Sequence, residues 1–308
     1  MKNLYELKNK IQEKTLNLVT QRNGSSVYQG QFFQEKVFIK IAKNREANDR
    51  YCEILEALKN FALTPKVLNK FEWDGSSVLV MSAIEGTQFD QIFKNCTRDQ
   101  KIYFFKAAGR YLGELHREIP ETFLFNMRFW QDRDGLSTQR ILWSQQLELM
   151  ISKWMSRVNP LSLDYHEFSY QLNELLKYSK ALSEPSQLTL LHCDYIGRNI
   201  LVDSKNQISG VIDFDAARIG DAVYDLAKIV WVEIDFSDLE LRNAFLDGWG
   251  CTYKQRVPKV NFLFYVGIQC LAAIAWTDRN PSSDGTNTIF RPSAIRTLSG
   301  VLKELAAL

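Results

Sequence analysis

The 308-residue chain has only five cysteines, three histidines, seven prolines and fifteen glycines, and no marked excess of charge, with 38 Lys and Arg against 36 Asp and Glu. Each shortage excludes something. The cysteines, Cys52, Cys96, Cys193, Cys251 and Cys270, are odd in number and scattered, which fits neither a disulfide framework nor a CxxC metal knuckle and suits a reducing cytoplasm. Scarce Pro and Gly rule out collagen-like and linker-dominated chains, while 45% apolar and 24% charged residues are those of a globular protein. A net charge of +2 supplies neither the basic field of a nucleic-acid binder nor an acidic tail, so no nucleic-acid partner is expected. The most apolar stretch, 261–276, is shorter than the roughly 18 to 20 residues of a membrane span and contains Asn261 and Gln269. It reads as a buried helix, and no membrane partner is expected. The opening MKNLYELKNKIQEK lacks the apolar core of a signal peptide.

What is present divides unevenly. Alternation and turn signals mark strands over 16–20, 26–28, 36–42 and 77–83, with turns at Arg22-Asn23-Gly24-Ser25 and Trp73-Asp74-Gly75. One helix interrupts them over 44–59, where Ala47, Tyr51, Ile54, Leu55 and Leu58 recur at helical spacing. Beyond Asp99 the pattern is mostly helical, over 97–117, 137–157, 161–182, 221–233, 238–249, 260–277 and 292–308. A compact insert of strand character, 188–191, 200–202 and 210–212, breaks that series. The expected architecture is α+β: a small N-terminal lobe, residues 1–85, with an antiparallel sheet and one helix, and a large, mainly helical C-terminal lobe, residues 86–308.

Chemistry concentrates in His192-Cys193-Asp194-Tyr195-Ile196-Gly197-Arg198-Asn199-Ile200-Leu201-Val202, followed by Gly210-Val211-Ile212-Asp213-Phe214-Asp215. A loop aspartate, an asparagine five positions later entering an apolar strand, and an aspartate ending the next strand bring oxygen-bearing side chains to one rim of a hairpin. Oxygen donors without Cys or His suit Mg²⁺ held jointly with substrate phosphates. A free carboxylate beside such a site suits phosphoryl transfer to a hydroxyl.

This spacing, with Gly220-Asp221-Ala222-Val223-Tyr224-Asp225-Leu226-Ala227 after it, resembles the aminoglycoside phosphotransferase and choline kinase-like family of small-molecule kinases. The resemblance implies a kinase-like fold. It makes Asp194 the catalytic base or hydroxyl-orienting residue, Asn199 and Asp213 the Mg²⁺ ligands, Asp215 a weaker candidate near the metal, and Asp225 a brace for the catalytic loop. His192 is expected as a hydrogen-bonded anchor, His116 and His166 as structural or solvated, and Asp221 as a helix N-cap. Cys193 stands where the family usually has Gly. Lys40 shares a strand face with Phe38 and Ala42, and the resemblance makes it the lysine that binds nucleotide α/β-phosphates. Its usual helix glutamate is missing: the matching position is Tyr51, with Glu46 and Glu53 as nearby substitutes. Ser25 and Ser26 resemble part of a loop over the phosphates, or else a plain hairpin turn, and Ile84 in the hinge would offer its backbone to the purine.

Seven residues separate Asp213 from Asp221 and no A-P-E follows, so there is no activation loop to dock a peptide and a small hydroxylated acceptor is favoured. The donor is a nucleoside triphosphate, ATP or GTP, with Mg²⁺. The resemblance favours an aminoglycoside-type antibiotic as acceptor; the alternatives are a metabolite such as choline or a sugar alcohol and, in another class, a nucleotide-binding pseudokinase scaffold. Glu233, Asp235, Asp238 and Glu240 form an acidic run that could meet a polycation or simply begin a helix. Trp130, Trp143 and Trp154 could face a quaternary ammonium or fill the core.

Overall fold

The computed structural model describes residues 9, 16–22, 24–32, 34–124, 126–127, 142–280 and 289–308. Five antiparallel strands, β1 (Asn17–Arg22), β2 (Ser25–Phe32), β3 (Glu35–Ala42), β4 (Val67–Trp73) and β5 (Ser76–Ser82), form one sheet in the order β1-β2-β3-β5-β4. Strand periodicity sends Val37 and Ile39 of β3, with Val78 and Val80 of β5, to one face. There they form a small core with Tyr28, Phe32 and Trp73. Phe38 and Lys40 of β3 and Leu79 and Met81 of β5 take the opposite face, against which α1 (Arg45–Ala57) packs Tyr51, Ile54 and Leu55. Asn44 caps α1 by accepting from the Ala47 N–H at 3.4 Å. Asn48 is fully buried and donates to the carbonyls of Lys40 (3.3 Å) and Ser77 (2.8 Å), fastening α1 to β3 and β5 beside the lysine.

The strand β4 was not among the expected elements. It is an edge strand whose outward residues Leu68, Lys70 and Glu72 are exposed, so its polar alternation carries no strong apolar signal.

The remaining strands are short. β6 (Thr87–Gln88), β8 (Ile200–Val202) and β9 (Ile208–Val211) form one sheet in the order β6-β8-β9, and β7 (Thr189–Leu191) pairs with β10 (Arg218–Gly220). Around them lie α2 (Phe89–Phe93), α3 (Arg98–Glu118), α4 (Glu121–Leu124), α5 (Trp143–Met155), α6 (Tyr165–Leu176), α7 (Ala222–Val232), α8 (Leu239–Tyr253), α9 (Lys259–Arg279) and α10 (Phe290–Ala306). The single helix expected over 161–182 is instead α6 followed by a 3₁₀ turn at Lys177–Ala181. The Asn159 side chain accepts from the Leu161 N–H at 3.0 Å and holds that segment in a turn ahead of the helix. Residues 137–141 of another expected helix lie outside the described residues. By length and composition α9 could cross a membrane, yet 72% of its apolar window is buried inside the protein; it is the central core helix.

Helices α3 and α8 touch backbone to backbone. A methyl group on Gly109 would lie 2.0 Å from the Phe245 carbonyl oxygen, and one on Gly248 would lie 2.1 Å from that of Lys106. Gly248→Ala should therefore destabilise the protein by about 3 kcal/mol or more in denaturant unfolding. Gly250→Ala, whose methyl would meet only the Gln255 carbonyl at 3.3 Å, should stay within about 1 kcal/mol of wild type.

Candidate active site

The centre is the loop leaving β7, and a buried carboxylate on α7 fixes its shape. Asp221 caps α7, accepting from the Val223 N–H at 3.0 Å and from the Tyr265 hydroxyl at 2.8 Å. Burial pushes its carboxyl above the usual range. One turn later, Asp225 is 2% exposed and accepts the N–H groups of His192 at 2.6 Å and Cys193 at 2.7 Å. His116 of α3 completes the set, its Nε2 3.1 Å from Asp225. Trp249 of α8 donates its indole N–H to His116 Nδ1 at 3.0 Å, so Nδ1 is the acceptor and Nε2 carries the proton that faces Asp225. The expected brace and structural histidine are thus one network.

Presenting two successive N–H groups to one carboxylate bends the loop sharply, and Cys193 adopts φ +61°. That left-handed conformation is the reason glycine suits this position. His192 is fully buried, with Nε2 2.9 Å from the Ile212 carbonyl and Nδ1 accepting from the Asp194 N–H at 3.2 Å. It anchors the loop to the next strand.

Asn199 donates from Nδ2 to the Asp194 carbonyl at 2.8 Å and to Asp194 Oδ2 at 2.9 Å. Its own carbonyl accepts from the Ile212 N–H at 2.9 Å, which sets Asp213, at φ +67°, beside it. Burial, reinforced by the carboxylates of Asp215 and Asp194, pushes the Asp213 carboxyl up. The three residues read from the motif are therefore together. Among the described residues no group of three His, Cys, Asp or Glu side chains encloses a metal. The Asp213 carboxylate and the amide oxygen of Asn199 could instead share a hard cation with substrate phosphates.

Two cations on Asp194 were not anticipated. Lys228 Nζ lies 2.5 Å from Oδ1, and Arg198 Nη2 lies 3.0 Å from Oδ2. Burial alone would raise the Asp194 carboxyl, but Lys228 and then Arg198 outweigh it and hold it below the usual carboxylate range. Lys228 follows Asp225 by three residues on α7, so the two share a helix face; once Asp225 is read as the loop's brace, that spacing is the signal for Lys228.

Lys40 is 3% exposed and forms an ion pair with Asp215, and its Nζ lies 4.3 Å from the centre of the Tyr51 ring. Its carboxylate partner is thus neither Glu46 nor Glu53, and Asp215, a weaker metal candidate in the sequence, faces the lysine. Ser25 and Ser26 open β2, paired with Arg22 and Gln21 on one side and with Ala42 and Ile41 on the other; Asn23 lies outside the described residues. Ile84 sits between β5 and β6 and packs against Gly210, where a methyl group would come within 2.6 Å of its side chain.

The acidic run is occupied locally. Glu233 accepts the Gly197 N–H at 2.9 Å, Asp235 accepts the N–H and hydroxyl of Ser237, and Asp238 and Glu240 both hold Arg98. Trp143 is a core residue, donating to the Tyr265 hydroxyl at 2.8 Å, and Trp154 packs half-buried against the core. Trp130 lies outside the described residues.

A family model described as the phosphotransferase enzyme family matches residues 35–259, about three quarters of the chain, including Lys40, Asp194, Asn199, Asp213 and Asp225. The chain belongs to this family. Solved structures agree in fold. The phosphotransferase superposes with a TM-score of 0.70 on a thermostable mutant of aminoglycoside phosphotransferase APH(4)-Ia in its apo form, at 14% identity over 98% of this chain and 100% of the other. It matches ADP-bound aminoglycoside phosphotransferase APH(2'')-Ib with 0.57, at 16% identity over 96% of each chain. A choline/ethanolamine kinase family protein from Mesorhizobium loti gives 0.59, at 17% identity over 93% of this chain and 87% of that one. A further APH(4)-Ia mutant, with a TM-score of 0.68 and 14% identity over 98% of this chain and 100% of that one, was solved as a ternary complex with AMP-PNP and hygromycin B. No curated protein sequence matches. The phosphotransferase thus has the kinase-like fold, with an antiparallel N-terminal sheet and a mostly helical remainder, and it is an enzyme that transfers phosphate to a hydroxyl group.

Substitutions at two positions probe the loop of this phosphotransferase. Asp225→Asn replaces one acceptor oxygen with an NH₂ that confronts a donor, and should destabilise the protein by about 2 to 3 kcal/mol. Cys193→Gly should be neutral or stabilising by up to about 1 kcal/mol, whereas Cys193→Val should be destabilising. Denaturant unfolding of the three variants checks both.

Proposed function

We infer that this phosphotransferase moves the γ-phosphoryl group of a nucleoside triphosphate to a hydroxyl of a small molecule. Residues 1–85 would supply the nucleotide side, with Lys40 on the α/β-phosphates and the backbone around Ile84 on the purine, and residues 86–308 the catalytic loop and acceptor pocket. The observation that carries the reading is the joined pair Asp194 and Asn199 beside Asp213. Asn199 spends its Nδ2 on Asp194, leaving its amide oxygen, with the Asp213 carboxylate, for Mg²⁺. Desolvation and then repulsion from Asp215 and Asp194 raise Asp213, and that repulsion is the kind a divalent cation relieves. When bound, Mg²⁺ neutralises charge on the phosphates.

Asp194, held ionised by Lys228 and Arg198, is a weak base and a good hydrogen-bond acceptor, so its part is to orient the attacking hydroxyl. Arg198 is the more exposed partner, with a side chain 49% accessible against 26% for Lys228. It is the partner an incoming hydroxyl would displace.

For the acceptor, the likeness to aminoglycoside phosphotransferases supports an aminoglycoside-type antibiotic. A metabolite such as choline or a sugar alcohol is the second reading, favoured by the internal engagement of all four acids at 233–240. ATP and GTP both remain donors on this reading, because the purine would meet mainly backbone. The five free cysteines fit a cytoplasmic setting.

The test is nucleoside diphosphate release from ATP and from GTP, with Mg²⁺, across aminoglycosides, other hydroxylated antibiotics, choline and small sugars. Acceptor-dependent release is expected, falling about 10²- to 10⁴-fold in Asp194→Asn while nucleotide binding persists. Chelation of Mg²⁺ should abolish it. Tight nucleotide binding without release on any acceptor would turn the reading toward a pseudokinase scaffold.

A further inference from the structure

Tyr51 occupies the helix position facing Lys40. It is 5% exposed, on the face of α1 that meets the sheet, and its ring lies under the Lys40 ammonium. The helix that carries it also packs against the turn at Phe214–Ala216, which follows Asp213. Of its polar neighbours on α1, Glu46 is exposed and Asn48 is committed to the carbonyls of Lys40 and Ser77.

A buried ammonium needs compensation from every side. Asp215 gives one contact, but its side chain is half exposed and it would be released as Lys40 turns toward phosphate oxygens. An aromatic face attracts the ammonium without consuming its charge, and in a desolvated setting that attraction is strong. It leaves the three N–H donors free to point at an anion.

The geometry points to Tyr51 as the residue that positions the nucleotide end of the site, its buried ring holding the Lys40 ammonium in place. A side chain on α1 thereby sets where the phosphate-binding lysine of β3 lies. This rests on the nucleotide-binding reading above.

The experiment measures binding of AMP-PNP and of the corresponding GTP analogue by calorimetry, with Mg²⁺. It uses the wild type, Tyr51→Phe, Tyr51→Leu, Lys40→Met and the Tyr51→Leu/Lys40→Met double variant, each first shown to melt cooperatively. Tyr51→Leu should weaken binding about tenfold, and the double variant should bind no worse than Lys40→Met alone, because the two side chains act as a unit. Tyr51→Phe keeps the ring and should leave affinity within about twofold. Multiplying losses in the double variant, or a loss in Tyr51→Phe as large as that in Tyr51→Leu, would overturn the assignment. A wild type that binds neither analogue would instead discard the nucleotide-binding reading, and the assignment with it.

Discussion

The site depends on one buried carboxylate. Asp225 accepts two consecutive backbone N–H groups of the loop that carries Asp194 and meets a ring N–H from His116. In a low-dielectric interior such charge-assisted bonds are strong, and an unmatched one is costly. Each partner has its own precondition. Cys193 must enter the left-handed region for its N–H to converge with that of His192. His116 must face Asp225 with its proton on Nε2, which Trp249 enforces from α8. Trp249 reaches His116 only because α3 and α8 meet at Gly109 and Gly248 without intervening side chains. A packing rule between two helices therefore sets the direction of the loop that carries Asp194.

Charge is the second constraint. Asp194 carries two ion pairs and Asp215 one, whereas Asp213 has no ion pair among the described residues and is raised by desolvation and then by its carboxylate neighbours. Uncompensated negative potential is thus concentrated at the residue that the motif makes a cation ligand. The cations that could have neutralised it sit on either side, Lys40 with Asp215 and Lys228 with Asp194. On the proposed function this distribution is consistent: the divalent ion and the phosphates would arrive as a complex that satisfies Asp213 and Lys40 together.

Local pattern disclosed the elements whose partners are near in sequence. The alternation of Val37, Ile39 and Lys40 gave β3 its faces, and the five-residue step from Asp194 to Asn199 gave a hydrogen-bonded pair. The helix start at Asp221 gave a cap with one bond to Val223 and another to Tyr265. Contacts across the fold stayed hidden. Lys40 and Asp215 are 175 positions apart, and Tyr51 looked like a missing glutamate because its role depends on where α1 lands on the sheet. β4 was overlooked because an edge strand with one exposed face resembles a polar connection.

The acidic run shows why composition near a site is a poor guide to what binds there. Four carboxylates within eight residues suggest an attraction for cations, but each has a closer partner: a backbone N–H of the catalytic loop for Glu233, its own turn for Asp235, and Arg98 for Asp238 and Glu240. Arg98 brings both of the last two together in a multidentate arrangement, and its guanidinium offsets one of their two charges. A polycationic acceptor would have to displace that arginine or the Gly197 N–H, and the second would disturb the turn just ahead of Asn199. Recognition of a polycation by this segment would thus compete with the geometry of the catalytic loop, which ties acceptor choice to the same backbone that positions Asn199.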